Sequence, residues 1–292
     1  MKTNSKLISL ILVMLMISVQ SFATWRPGEM EVQVKYSSRT EVQQIQSLNI
    51  SVDFYSEYAV AYVVKEELNA LLSMGFEVEI LEKDLDKRNG KSVPDGYYSY
   101  QEIIDIADSL AQHFPSICSK TVAGYSYLNR QLAYLKISDN VLTDEAEPEV
   151  LFEAGIHGDE VGASQNAIMY ARELVLGYGN DPEITDLIDN REIYIYLMVN
   201  PDGRESMSRY NNNGMDINRD WGYMWDHEGS TDSAFCQEEA RVLRDFILDH
   251  EFVIHTTYHS GTEYISCPWS YRADEPEDLD HILFLAGIYS SS

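Results

Sequence analysis

The run Arg191 to Val199 (REIYIYLMV) constrains the fold more than any other segment. Apolar side chains stand at consecutive positions. Successive residues of a strand point to opposite faces, so this strand needs cover above and below. Glu149 to His157 is a second apolar strand running into a loop, Gln131 to Ile137 a third, and Phe252 to His259 a fourth. Between them lie segments with helical apolar spacing: Tyr100 to His113, stopped near Pro115, then Val161 to Leu176 and Gln237 to Leu248. Strands alternating with helices predict an α/β fold, a central sheet with helices on both faces. Ile282 to Ser292 (ILFLAGIYSSS) reads as a further helix.

The pattern differs before Tyr97. Glu31 to Tyr36 alternates as a half-buried strand, and Ser38 opens a helix through Leu48 with Glu41 as its capping-box partner. Val52 to Val64 supplies one or two strands. Lys65 to Met74 is helical with Gly75 as its stop, and Phe76 to Leu81 alternates again. This order predicts a small α+β unit with an antiparallel sheet over residues 24–92. The charged stretch Asp84 to Gly96, with Gly90 and Pro94, reads as a linker, and a larger domain occupies 97–292.

Residues 1–23 have the form of a signal peptide. Lys2 and Lys6 precede the apolar run Leu7 to Val19, and Ser21-Phe22-Ala23 is a small-x-small cleavage site. The mature protein is therefore expected outside the cytoplasm, secreted or periplasmic, with no membrane attachment after signal cleavage. Apolar residues make up 45 % of the chain, enough for a sizeable core. The formal net charge of −27 argues against nucleic acid or an anionic membrane as partner. Cys118, Cys236 and Cys267 permit at most one internal bridge, and their spacing fits no zinc–thiolate pattern.

Candidate chemistry gathers at strand ends. His157 and Glu160 follow the strand from Glu149, and His259 ends the strand from Phe252. Open α/β sheets bind ligands at the carboxyl ends of their strands. Two imidazoles and a carboxylate would form a catalytic-type zinc site with a position left open. Taken alone, His157-x-x-Glu160 is a weak signal and fits a solvated loop equally well. His255, four residues back on the same strand face, is read as an ordinary hydrogen-bonded histidine, as are His113, His227, His250 and His281. Asn200-Pro201-Asp202-Gly203 reads as a turn. Arg209 and then Asp216-Ile217-Asn218-Arg219 follow it.

Taken in order, this set resembles the zinc carboxypeptidases of the M14 family over Tyr97 to Ser292. Asn218 to Trp225 (NRDWGYMW) and Cys267-Pro268-Trp269-Ser270-Tyr271 look most like secreted bacterial members related to carboxypeptidase T. Asp220 stands where many relatives have Asn. The resemblance implies one zinc ion on His157, Glu160 and His259. It implies Arg209 as donor to the oxyanion, and Asn218 with Arg219 as clamp for the terminal carboxylate of a peptide or protein substrate. By position and pattern, residues 24–92 resemble a pro-segment. The family's general-base Glu and its Tyr lie downstream of the last histidine. Glu263, Glu275 and Glu277 do not sit in that motif, so the chain is expected to be C-terminally truncated, its general base lost and its activity reduced. A zinc amidase or deacylase, a peptidoglycan-trimming peptidase, and a non-catalytic zinc- and peptide-binding protein are the alternative readings.

Overall fold

The computed structural model describes residues 25–55, 57–88, 93–223, 225, 232–261, 265–268 and 275–291. The signal-peptide segment, His227, Glu263 and Trp269 to Tyr271 lie outside them.

The N-terminal unit holds four strands, β1 (Met30–Lys35), β2 (Ser51–Phe54), β3 (Tyr58–Val63) and β4 (Val78–Glu82). Their order is β2-β3-β1-β4, and each pair is antiparallel. Helices α1 (Arg39–Gln46) and α2 (Lys65–Ser73) cover one face. Val32, Val34, Val52, Ala59, Ala61 and Val63 point into that face and meet Ile45, Leu68 and Leu71. Ser38 caps α1, accepting the Glu41 N–H at 3.3 Å. The Glu41 carboxylate turns one residue further than a capping box requires and accepts from the Ser37 N–H at 2.7 Å. Gly75 ends α2 at φ +93, a conformation that costs glycine nothing. The predicted linker is ordered at its start: Leu85 is fully buried, and its N–H donates to Glu29 O at 2.9 Å.

The larger domain is a mixed sheet of β5 (Cys118–Tyr125), β6 (Gln131–Ile137), β7 (Glu149–Ala154), β8 (Glu192–Tyr196) and β9 (Phe252–Tyr258). Their order is β5-β6-β8-β7-β9. β5–β6 and β6–β8 are antiparallel, and β8–β7 and β7–β9 are parallel. Helices α3 (Tyr100–His113), α4 (Val161–Gly177) and α5 (Pro182–Asp189) pack on one face. A short α6 (Pro201–Ser206) follows β8, then α7 (Glu238–Leu248) covers the opposite face, and α8 (Leu279–Ser291) comes last.

The consecutive apolar positions of β8 explain themselves here. Ile193 and Ile195 face α3 and α4, while Tyr194 and Tyr196 face Leu243 and Phe246 of α7. Each aliphatic side chain so buried contributes roughly 1.5–3 kcal/mol. Three elements escape the sequence reading: β5, α5 and the short α6. All three cysteines are free thiols, so the one bridge the sequence allows is not formed. Among the described residues no helix is long and apolar enough to cross a membrane.

Candidate metal and carboxylate site

The carboxyl ends of β7 and β8 stay zipped beyond the strands, with Val199 N–H donating to Ala154 O and Asn200 N–H to Gly155 O, each at 2.9 Å. Gly155, at φ +68, turns the chain out of β7 toward His157. Gly158 then passes against α6 so closely that a Cβ there would lie 2.1 Å from Gly203 C and 2.3 Å from Arg204 N. Only glycine allows this approach, which sets Glu160 at the start of α4. His259 follows β9, the parallel neighbour of β7. The sequence therefore brings all three residues to one end of the sheet.

Glu160 is the centre of the group. Its Oε1 lies 2.7 Å from His157 Nδ1, and its Oε2 lies 3.0 Å from His259 Nδ1. The Ser260 N–H donates to the same Oε2 at 2.9 Å. One ligand atom from each of the three residues falls within 4.8 Å of the others. Burial by itself would raise the Glu160 pKa, but the two histidines hold it far below the usual carboxylate range. Burial and Arg209 both oppose charge on His157. Glu160 and Asp216 overcome them and carry its pKa up to about 9. Two Nδ1 atoms and a carboxylate form the donor set that zinc accepts, and the set fits one ion.

The arginines lie beside this group. Asn200 caps α6, accepting the Gly203 N–H at 2.9 Å, and its amide donates to Arg209 O at 3.2 Å. Asn200 to Gly203 is thus the first turn of a helix, where the sequence reads as a simple turn. Arg209 is buried, and its Nε donates to Asp216 Oδ2 at 2.9 Å. Asp216 also accepts the Asn218 N–H on Oδ1 at 2.9 Å, and that oxygen stands 3.3 Å from His157 Nε2. One carboxylate therefore holds Arg209 and the turn Ile217–Arg219 and stands beside His157. Asp220, the departure from Asn, accepts the N–H groups of Cys236 (3.1 Å) and Gln237 (2.8 Å) at the start of α7, a structural role.

The forked end of Arg209 is occupied. Nη1 and Nη2 donate to the two carboxylate oxygens of Asp53, at 2.9 and 3.0 Å. Arg219 Nη2 stands 3.4 Å from the same carboxylate and donates to Val52 O. Ser51, two residues back and on the same strand face, donates to Asp216 Oδ2 at 2.6 Å. Both Ser51 and Asp53 belong to β2 of the N-terminal unit. Sequence reasoning singles out neither Asp53 nor the linking role of Asp216. The one signal for Asp53 is a carboxylate inside an otherwise strand-forming run. The ordinary histidines behave as expected: His255 pairs with Glu153 at 2.8 Å, His250 with Glu149 at 2.7 Å, and His113 bonds within its own helix.

This fold and site define a class. Residues 103–292 match the family Peptidase_M14, zinc carboxypeptidase, and the chain belongs to that family. It is 36 % identical over 144 residues to a zinc carboxypeptidase of Saccharothrix mutabilis subsp. capreolus, covering 44 % of this chain and 33 % of the relative. It is 27 % identical over 284 residues to carboxypeptidase A2 of Rattus norvegicus, covering 88 % of this chain and 64 % of the relative. Among solved structures, carboxypeptidase A from Helicoverpa armigera superposes with a TM-score of 0.65 at 22 % identity, over 82 % of this chain and 71 % of that one. The chain thus spans less than two thirds of the length of these two curated relatives.

Proposed function

We propose that the protein is an exported zinc metallocarboxypeptidase that removes C-terminal residues from peptides, and that residues 24–92 form a pro-segment blocking its site. One observation carries the reading. The Asp53 carboxylate is gripped by both oxygens on Arg209, within reach of Arg219, beside His157, Glu160 and His259. A carboxylate held by a guanidinium fork is what recognition of a peptide terminus requires. Asp53 holds Arg209 and lies 3.4 Å from Arg219 in the intact chain, so it covers the oxyanion arginine and the terminus arginine together. The likenesses to the rat enzyme and to the insect structure cover more of the chain than residues 103–292, which supports a family-like N-terminal unit.

Zinc on His157, Glu160 and His259 would supply Lewis acidity toward a carbonyl and activation of a water. The protein's own groups do the rest. Arg219, with Asn218 beside it, binds the terminal carboxylate and so selects exopeptidase cleavage. Arg209 is held by Asp216 with its Nη1 3.3 Å from His157, placed to donate to charge developing next to the metal ligands. An amidated terminus would leave the Arg219 charge without a partner, and a site built around a charge rejects such a substrate. Among the described residues we assign no catalytic base. The signal-like residues 1–23 support export, and the affinity with carboxypeptidase T rests on the sequence stretches that resemble it.

The test is release of the C-terminal amino acid from N-blocked dipeptides by zinc-loaded protein freed of residues 24–92. The reading expects cleavage of free acids and not of amides, with Arg219→Ala abolishing the difference. Equal cleavage of both would remove the clamp. Binding of the free acid with no release would favour the non-catalytic peptide-binding alternative.

A further inference from the structure

We propose that Trp25 and Glu29 form a latch with Met207 and Tyr210 that fastens the N-terminal unit to the carboxypeptidase domain independently of Asp53. The inference rests on the pro-segment reading and adds how that segment is retained. Trp25 is 1 % exposed. Its ring stacks on Tyr62 of β3 (centroids 5.5 Å, 22° between planes) and meets the edge of Tyr210 across the interface (5.5 Å, 69°). Its Nε1–H donates to Met207 O at 3.1 Å. Leu85 completes this apolar cluster. Rings of this size dominate the interfaces they join.

A polar contact runs alongside. The Tyr210 hydroxyl donates to Glu29 Oε1 at 2.7 Å. Glu29 is fully buried and also accepts from Arg26, on Oε2 from its N–H at 2.8 Å and on Oε1 from its Nε at 2.9 Å. Arg26 is anchored in turn within the unit by Glu67 and Tyr62 O. The carboxylate keeps its full set of donors only while Tyr210 is docked, and a buried acceptor that loses a donor is costly.

The latch and the Asp53 clamp use different residues and different forces. Asp53 engages the guanidinium groups by charge. The latch engages a backbone carbonyl and a neutral phenol by packing and hydrogen bonding. Every latch residue of the N-terminal unit precedes residue 89, and the receiving residues lie far beyond it. Cutting the chain in the linker therefore leaves the latch whole, so the cut unit stays bound until the latch is broken. Blocking and retention are separate properties, assigned to Asp53 and to Trp25–Tyr210.

The experiment inserts a site-specific protease sequence after Asn89 in the full chain, cleaves it, and measures by gel filtration and dilution whether the two pieces stay together. The cleaved wild type is expected to elute as one complex, and Asp53→Asn also, the latter now binding an N-blocked dipeptide with a free carboxylate. Trp25→Ala is expected to raise the dissociation constant about 100-fold or more. Tyr210→Phe removes one hydroxyl from a folded protein and is expected to raise it about tenfold. Dissociation constants for both variants within twofold of wild type would overturn the latch. An Asp53→Asn complex that holds together yet binds no free-acid dipeptide would instead sink the blocking role and leave the latch standing.

Discussion

Asp216 concentrates several demands in one side chain. It receives Arg209 Nε, stands against His157 Nε2 and accepts the Asn218 N–H. Carboxylates that orient a metal-ligating histidine are worth about 10- to 100-fold in metal affinity. Asp216→Asn is therefore expected to weaken zinc binding by that factor in competition with a chromophoric chelator, and an unchanged affinity would remove it from the site. Asp53 makes a different prediction. Burial works against its charge, but Arg209, His157 and Arg219 hold its pKa below the ordinary value. A depressed folded pKa gives stability that is complete above the unfolded pKa of about 3.9 and is lost as pH falls through the folded value. Asp53→Asn should thus cost about 3 kcal/mol at pH 7 in urea unfolding. The gap should close as both proteins are taken below pH 4. A gap that is constant with pH would mean that the carboxylate charge contributes nothing.

At the scale of elements, the loop Gly155 to Glu160 depends on close passage over α6. Gly158→Ala drives a Cβ into the Gly203–Arg204 backbone and is expected to destabilise the fold by about 1–3 kcal/mol while weakening zinc binding. Gly287→Ala, in α8 with open space around its Cβ, is the control and should gain about 0.5–1 kcal/mol from helix propensity. Chemical denaturation with a chelator-based zinc titration separates the two. What was legible in sequence follows from the same physics. β8, α3 and α4 are long and strongly patterned because they are buried on defined faces, and their bounds are read within a residue or a few. β5 (CSKTVAGY) is an edge strand that is largely exposed, Val122 and Tyr125 included, so buried and exposed positions do not alternate and it carries little periodic signal. α5 was readable in principle: Asp181 caps it and Pro182 opens it, a recognised start signal. The convergence of His157, Glu160 and His259 was legible because they lie at strand ends in a fixed order. Asp53 was not, because nothing local to β2 says that it faces two arginines more than a hundred residues away.

Across the whole molecule, two units share one site. The sheet face that carries Ser51, Asp53 and Tyr62 is pressed against the end of the larger sheet where the histidines lie, and Arg209 stacks on Tyr62 at 4.6 Å. The central claim is that Arg219 forms a carboxylate site beside Arg209, and that Asp53 blocks both arginines. Calorimetric titration of zinc-loaded Asp53→Asn protein with an N-blocked dipeptide, as free acid and as amide, tests it most directly. The account predicts that the free acid binds about 100-fold more tightly than the amide, as expected when a buried charge loses its partner. Equal affinity for the two would contradict it.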